Sequence, residues 1–224
     1  MRRGFSLIDV LVSMAVIAIL ISILMPCLSS VRETARQIIC RSNMRQVGYG
    51  LGFYAESHQD RLPPSVYYAD LANALPLETI VLRTTNGQWD GLGLLYTEEI
   101  MPAPRIFYCP SHHGDHPFVA CADAWNGSGE VVGNIQYRPM GPLGAGSGMT
   151  DRLSLIAPGT TLLVDGLRTV EDFNHVIGAN VFRADSSVSW YADRNHQVVT
   201  LLPKDGTPSN TTPVDQIWLE LDRR

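Results

Sequence analysis

The sequence predicts an α+β fold: one long N-terminal helix laid against a small antiparallel β-sheet. Three observations lead there. Residues 5–28 form a nearly unbroken apolar run. Directly after it, apolar residues recur every three or four positions to about residue 54, the spacing of one buried helical stripe. The remaining two thirds of the chain alternates short β-branched and aromatic runs with Gly, Pro and Asn punctuation, the pattern of strands joined by turns.

The apolar run comes first. Between Leu7 and Leu28 the polar residues are Asp9, Ser13 and Ser22, with Pro26 and Cys27 near the far end. Phe5 to Met25 is 21 residues, about 31 Å at ~1.5 Å per residue, which matches a hydrocarbon core of ~30 Å. That length exceeds the h-region of a removable signal peptide, roughly 7–15 residues. One membrane span is the expectation. An acid within it, Asp9, is unfavourable by roughly 3 kcal/mol on insertion scales, so it needs a functional reason.

Beyond the span, Leu28, Val31, Ala35, Ile38 or Ile39, Met44, Val47, Leu51 and Tyr54 continue a helical stripe. Pro26 removes a backbone donor and is expected to kink the helix without ending it, since the pattern resumes at once. Gly48, Gly50 and Gly52 weaken the helix by about 1 kcal/mol each relative to Ala, so its last turns depend on packing. Leu62-Pro63-Pro64 is the expected stop. Strands are expected at Arg105–Tyr108, Val131–Tyr137, Thr160–Asp165, Val176–Ala184, Val188–Tyr191, Val198–Leu202 and Val214–Leu219, with a hairpin turn at Asp185-Ser186. The segment GPLGAGSGMT (141–150) reads as a flexible loop.

Charge is distributed unevenly. The chain carries −5 overall, but from residue 47 onward eleven Lys and Arg face twenty Asp and Glu, a net of −9. Sequence-independent nucleic-acid binding needs a basic surface, so no nucleic-acid partner is expected. Positive charge lies on both sides of the span, and the positive-inside rule therefore leaves its orientation open.

Gly4-Phe5-Ser6-Leu7-Ile8-Asp9 ahead of an apolar run resembles the N-terminal signal of type IV pilins and type II secretion pseudopilins. The resemblance implies cleavage by prepilin peptidase between Gly4 and Phe5, and N-methylation of Phe5. It also implies a leader left in the cytoplasm and a body carried to the periplasm or beyond. Residues RQIICRSNMRQVGYGL, LPPS, GLGLLY and IFYCPS are similar to a prepilin-like subfamily ending in an H-X9-DG signature. Its counterpart here is His175, nine residues, then Asp185-Ser186. The implied organisation is a leader at 1–4, a transmembrane helix at 5–28, an amphipathic helical half at 29–62 and an exported β-rich domain at 63–224. Two positions depart from the family pattern: Asp9 stands where Glu is usual, and Ser186 replaces Gly, which argues against a type I′ turn.

The resemblance gives Asp9 a role. In the family this acid pairs with the methylated amine of a neighbouring subunit. Cleavage would leave Phe5 with a positive amine, and Asp9 lies one helical turn away. Pairing the two between staggered subunits neutralises both charges and fixes register within an apolar bundle. The implied partners are other pilin or pseudopilin subunits, the inner-membrane assembly platform and membrane lipid. The alternatives are a membrane-anchored binding module and a minor type IV pilin for adhesion.

A second stretch, CPSHHGDHPFVAC, holds Cys109, His112, His113, Asp115, His116 and Cys121. Three readings stand: a Cys109–Cys121 disulfide closing eleven intervening residues, worth about 3 kcal/mol; a tetrahedral metal site; or a Cys-Pro turn with exposed histidines. The disulfide leads, and no metal or cofactor is expected. Cys27 and Cys40 read as small packed residues. His175 and Asp185 are expected to brace the terminal hairpin with a hydrogen bond. Asp165 reads as a strand-end turn residue. Without a nucleophile elbow, oxyanion glycines or paired carboxylates, an enzyme is not expected.

Overall fold

The computed structural model describes residues 7–68, 75–145, 147–175, 177–204 and 214–223. The chain divides into two units, Met1–Arg36 and Gln37–Arg224. Gly4 and Phe5 lie outside the described residues, as does part of the 141–150 segment, at Gly146.

The described part of the first unit is the N-terminal portion of helix α1 (Leu7–Ser57). Its most apolar 18-residue window has a mean hydropathy of 2.8, and none of that window is buried. Leu7, Ile8, Leu11, Met14 and Met25 all present more than half of their surface. An unbroken apolar helix of this kind needs lipid or other helices around it. Its hydroxyls make no outward demand: Ser13 Oγ donates to the Val10 carbonyl and Ser22 Oγ to the Ile19 carbonyl, each at 2.8 Å. Helical backbone continues through position 26.

In the second unit the helical stripe becomes a buried face. Cys40, Met44, Val47, Leu51, Tyr54 and Ala55 are almost wholly buried, whereas Ile38 and Ile39, immediately before Cys40, are exposed. The helix ends at Ser57, ahead of the Pro63-Pro64 pair. Gln59 and Asp60 turn left-handed there, and Asp60 N–H donates to the Ala55 carbonyl at 2.8 Å, which satisfies a terminal acceptor.

The central sheet is four-stranded and antiparallel, in the order β3 (Gln136–Tyr137), β6 (Thr161–Val164), β7 (Gly178–Arg183) and β8 (Val188–Ala192). Two small ribbons complete the β structure: β1 (Val81–Arg83) with β2 (Val131–Val132), and β4 (Gly141–Pro142) with β5 (Met149–Thr150). Strands β6 and β7 are buried along their whole length, because both faces of the sheet are covered. Successive strand residues point to opposite faces. Paired Leu163 and Phe182 accordingly join the core formed with Met44, Val47 and Leu51, while paired Val164 and Val181 join a second core with Ile217, Trp218 and Leu221.

That second core corrects one expectation. Val214–Leu219 is not a strand; it lies in helix α4 (Val214–Asp222). Val214, Ile217, Trp218 and Leu221 recur at three- and four-residue steps and are all buried, a helical stripe that outweighs the local β propensity. Asp222 anchors its end, accepting from Arg138 Nη1 at 3.0 Å and from the Thr161 N–H at 2.6 Å.

Three further strand expectations also change. Pro104–Phe107 and Val199–Leu201 are 3-10 turns, the first opened by a proline whose missing N–H costs nothing at that position. The single strand expected at Val131–Tyr137 breaks into β2 and β3, which serve different sheets, with Gly133 and Asn134 between them. The 141–150 segment forms the β4–β5 ribbon. Two helices went unanticipated, α2 (Gly93–Thr97) and α3 (Phe118–Asn126). Buried Arg83 closes the end of α3: its guanidinium donates to the Ala124, Gly127 and Gly129 carbonyls, the last at 2.7 Å.

The β7–β8 hairpin carries Asp185 and Ser186. The Ser186 N–H donates to the Arg183 carbonyl and the Arg183 N–H to the Ser187 carbonyl, and Ser186 has φ +64°. Among the described non-glycine residues of this turn, Ser186 alone has positive φ. The turn is therefore a three-residue loop with a left-handed third position, not the two-residue type I′ form. Asp185 Oδ1 accepts from the Ser187 N–H at 3.0 Å.

Candidate functional site

Two places carry chemistry. The first is the start of α1. Asp9 lies in its first turn, fully outside any core, amid exposed apolar side chains. An acidic residue near a helix N-terminus meets the positive end of the helix dipole, which favours its charged form there.

The second place lies inside the globular unit and was not assembled by sequence reasoning. Cys40 comes from α1, Cys109 from the loop after the 104–107 turn, Asp165 from the end of β6, and His175 from the loop before β7. All four are buried, and one donor atom from each lies within 4.8 Å of every other. The hub is Asp165, whose side chain has no solvent exposure. Its Oδ2 lies 3.0 Å from Cys40 Sγ, 3.1 Å from His175 Nε2 and 2.7 Å from Asn180 Nδ2, and its Oδ1 accepts the Asn180 N–H at 2.6 Å. His175 Nε2 also faces Cys109 Sγ at 3.5 Å. Among the described residues His175 is the one ion-pair partner of Asp165.

Local folding explains the convergence. Asp165 follows the last residue of β6 and precedes Gly166, whose φ of +85° lets the chain turn away; a Cβ there would strike the Asp172 carbonyl. Asn180 on β7 then clamps the carboxylate from the neighbouring strand. Cys109 is fixed by its own N–H, which donates to Asn134 Oδ1.

Proton affinities follow the same contacts. Burial, the largest influence on Cys40, raises its thiol well above the usual value, and the Cys109 contact and the Asp165 charge add to it. Burial also works to raise Cys109, but hydrogen bonds from Cys40 and His175 outweigh it and lower the thiol. His175 is opposed by burial, yet the Asp165 and Cys109 contacts carry it up to about 11. The contacts thus favour a protonated imidazole at His175 and keep Cys40 a thiol, 3.0 Å from Asp165 Oδ2.

This is not the geometry of a nucleophilic triad. A triad uses the two imidazole nitrogens separately, one toward the nucleophile and one toward the acid. Here Cys109 and Asp165 share Nε2, and Cys109 is 3% exposed.

The sequence-derived pairings are redistributed. His175 Nε2 faces Asp165, and Asp185 Oδ1 accepts from the Ser187 N–H in the exposed hairpin turn. Cys109 and Cys121 are both free thiols, as are Cys27 and Cys40. Cys109 turns inward to His175, while Cys121 lies beside the Tyr108 hydroxyl. Two of the three histidines of the same stretch are engaged elsewhere: His112 Nδ1 meets Asn174 Oδ1 at 2.7 Å, and His116 meets the Arg168 guanidinium, while His113 is exposed.

Comparison with known proteins bears on the first place. Residues 1–25 match the family model for the prokaryotic N-terminal methylation motif. This supports a type IV pilin-like protein. The motif marks structural subunits of the pilin type and implies processing by prepilin peptidase and assembly with other such subunits. Together with the apolar helix it is consistent with a single-pass membrane-anchored protein. Comparison with curated proteins and with solved structures gave no match.

Proposed function

We propose that this chain is a pseudopilin-like structural subunit, matured by prepilin peptidase and assembled into a type II secretion pseudopilus or a related fibre. The observation that carries the reading is the methylation-motif match at residues 1–25, set on a helix whose most apolar window has no buried residue among the described residues. Cleavage between Gly4 and Phe5 leaves a methylated, positively charged amine. Asp9 of the next subunit neutralises it, and the stagger required for that pairing sets the register of the bundle. The globular unit then faces the periplasm or the exterior, and its acidic loops are displayed along the fibre. The action is mechanical assembly, not catalysis.

Single cysteines introduced along the exposed half of α1 test this reading. In the membrane of the native host they are expected to crosslink into ladders of dimers, trimers and higher species. In an Asp9→Ala background the protein remains inserted and processed but the ladder collapses. Monomers alone, with Asp9 intact, would favour a membrane-anchored binding module over a fibre subunit.

A further inference from the structure

We infer that Cys40, Cys109, Asp165 and His175 form a structural site for one thiophilic divalent cation, with zinc the best-matched ion. The inference is independent of the proposed fibre role and rests on the globular unit alone.

Geometry gives the first argument. Zinc bound to thiolate at ~2.3 Å and to nitrogen or oxygen at ~2.0–2.1 Å sets tetrahedral donor–donor edges of about 3.3–3.8 Å. Three of the donor–donor separations lie close to those edges: 3.0 Å for Cys40 Sγ–Asp165 Oδ2, 3.1 Å for His175 Nε2–Asp165 Oδ2 and 3.5 Å for Cys109 Sγ–His175 Nε2. One donor atom from each of the four residues lies within 4.8 Å of every other, so four separate parts of the chain bring their donors to one place.

The donor set gives the second argument. Two sulfurs, one imidazole and one carboxylate suit zinc; magnesium and calcium prefer all-oxygen shells. Four protein ligands leave no open position, which marks a structural and not a catalytic metal. Burial gives the third: all four residues are buried, and the Asp165 and His175 side chains have no solvent exposure, the closed setting of a structural metal. Binding as ligands needs the imidazole neutral at Nε2 and both sulfurs as thiolates, so the protons these groups carry would be released to solvent.

The surroundings also fit. Metal-binding carboxylates are usually oriented by outer hydrogen bonds, and Asn180 supplies two to Asp165. A groove of about 560 Å³ lined by Asn43, Tyr108, Cys109 and His112 opens beside Cys109, one of the four donors. The bound ion would clip the Gln37–Ser57 part of α1 to the ends of β6 and β7.

The test uses the full-length chain in detergent micelles, purified under reducing conditions and stripped with a chelator. Cobalt(II), as a spectroscopic stand-in for zinc, should bind at about one equivalent, giving the absorption of a tetrahedral site and a thiolate charge-transfer band. Zinc should displace it and raise the melting midpoint, whereas magnesium and calcium should not. Cys40→Ser and His175→Gln should abolish the band, Asn180→Ala should weaken binding about 10- to 100-fold, and Cys121→Ser should leave it unchanged. If the Cys40 or His175 variants fail to fold, the cobalt spectrum and zinc-dependent melting of the unaltered chain decide alone. Absence of a thiolate–cobalt band, a band that survives in Cys40→Ser, or an oxidised Cys40–Cys109 peptide in the protein from its native host would each overturn the inference.

Discussion

The ring of Phe182 on β7 lies where any side chain at Gly48 of α1 would have to go. This contact turns a weak helix former into a packing requirement. Gly48→Ala gains about 1 kcal/mol of helix propensity but forces a buried ring out of place, an overpacking cost of about 1–3 kcal/mol. The net expectation is a loss of stability, larger still for Gly48→Val, measured by chemical denaturation. Gly52, with nothing near its Cβ position, is the control: Gly52→Ala should stabilise.

Ser186 sets up the opposite case. Its φ of +64° is a left-handed conformation reached without glycine, in an exposed turn. Ser186→Gly should therefore raise stability by about 0.5–1 kcal/mol. A fall in the denaturation midpoint would mean that the serine side chain contributes more than its backbone strain costs.

Arg83 is buried and gives its guanidinium to three carbonyls around the end of α3. Arg83→Met keeps much of the apolar stem but strips those acceptors of their donor. Buried groups left unsatisfied cost about 1–3 kcal/mol. The expected result is a destabilisation of that order, together with faster amide exchange in Phe118–Asn126 than elsewhere.

At Asp9 the account depends on charge more than on shape. Asp9→Glu should assemble as well as the unaltered chain, since the carboxylate is kept and its reach grows by one methylene. Asp9→Asn preserves the size and should assemble poorly. Equal crosslink ladders for Asp9→Asn and the unaltered chain would remove the amine–carboxylate pairing from the account.

Much of the architecture could be read from periodicity. Three- and four-residue steps marked the buried face of α1, and alternating runs located β6, β7 and β8. The misreadings have physical causes. Val214, Ile217, Trp218 and Leu221 carry a helical period, but their β-branched and aromatic composition suggested a strand. Tertiary burial against Val164 and Val181 decides for the helix. The 104–107 turn hid behind apolar Ile106 and Phe107, which suggested a strand although only Phe107 is buried.

The buried cluster was illegible for a different reason. Cys40, Cys109, Asp165 and His175 were each noticed, but as a packed thiol, half of a disulfide, a turn residue and a hairpin brace. Local spacing favoured Cys109 with Cys121 and His175 with Asp185. Only the crossing of α1 over the ends of β6 and β7 brings position 40 to positions 109, 165 and 175, and no single-sequence signal encodes contacts at that separation.

The most direct test of the central claim is the intact mass and N-terminal peptide map of the protein taken from its native membrane. The account predicts a mature chain that begins at N-methylated Phe5, with Met1–Gly4 removed. A chain that keeps Met1–Gly4 and carries no N-methyl group at Phe5 would contradict it and leave α1 a simple anchor.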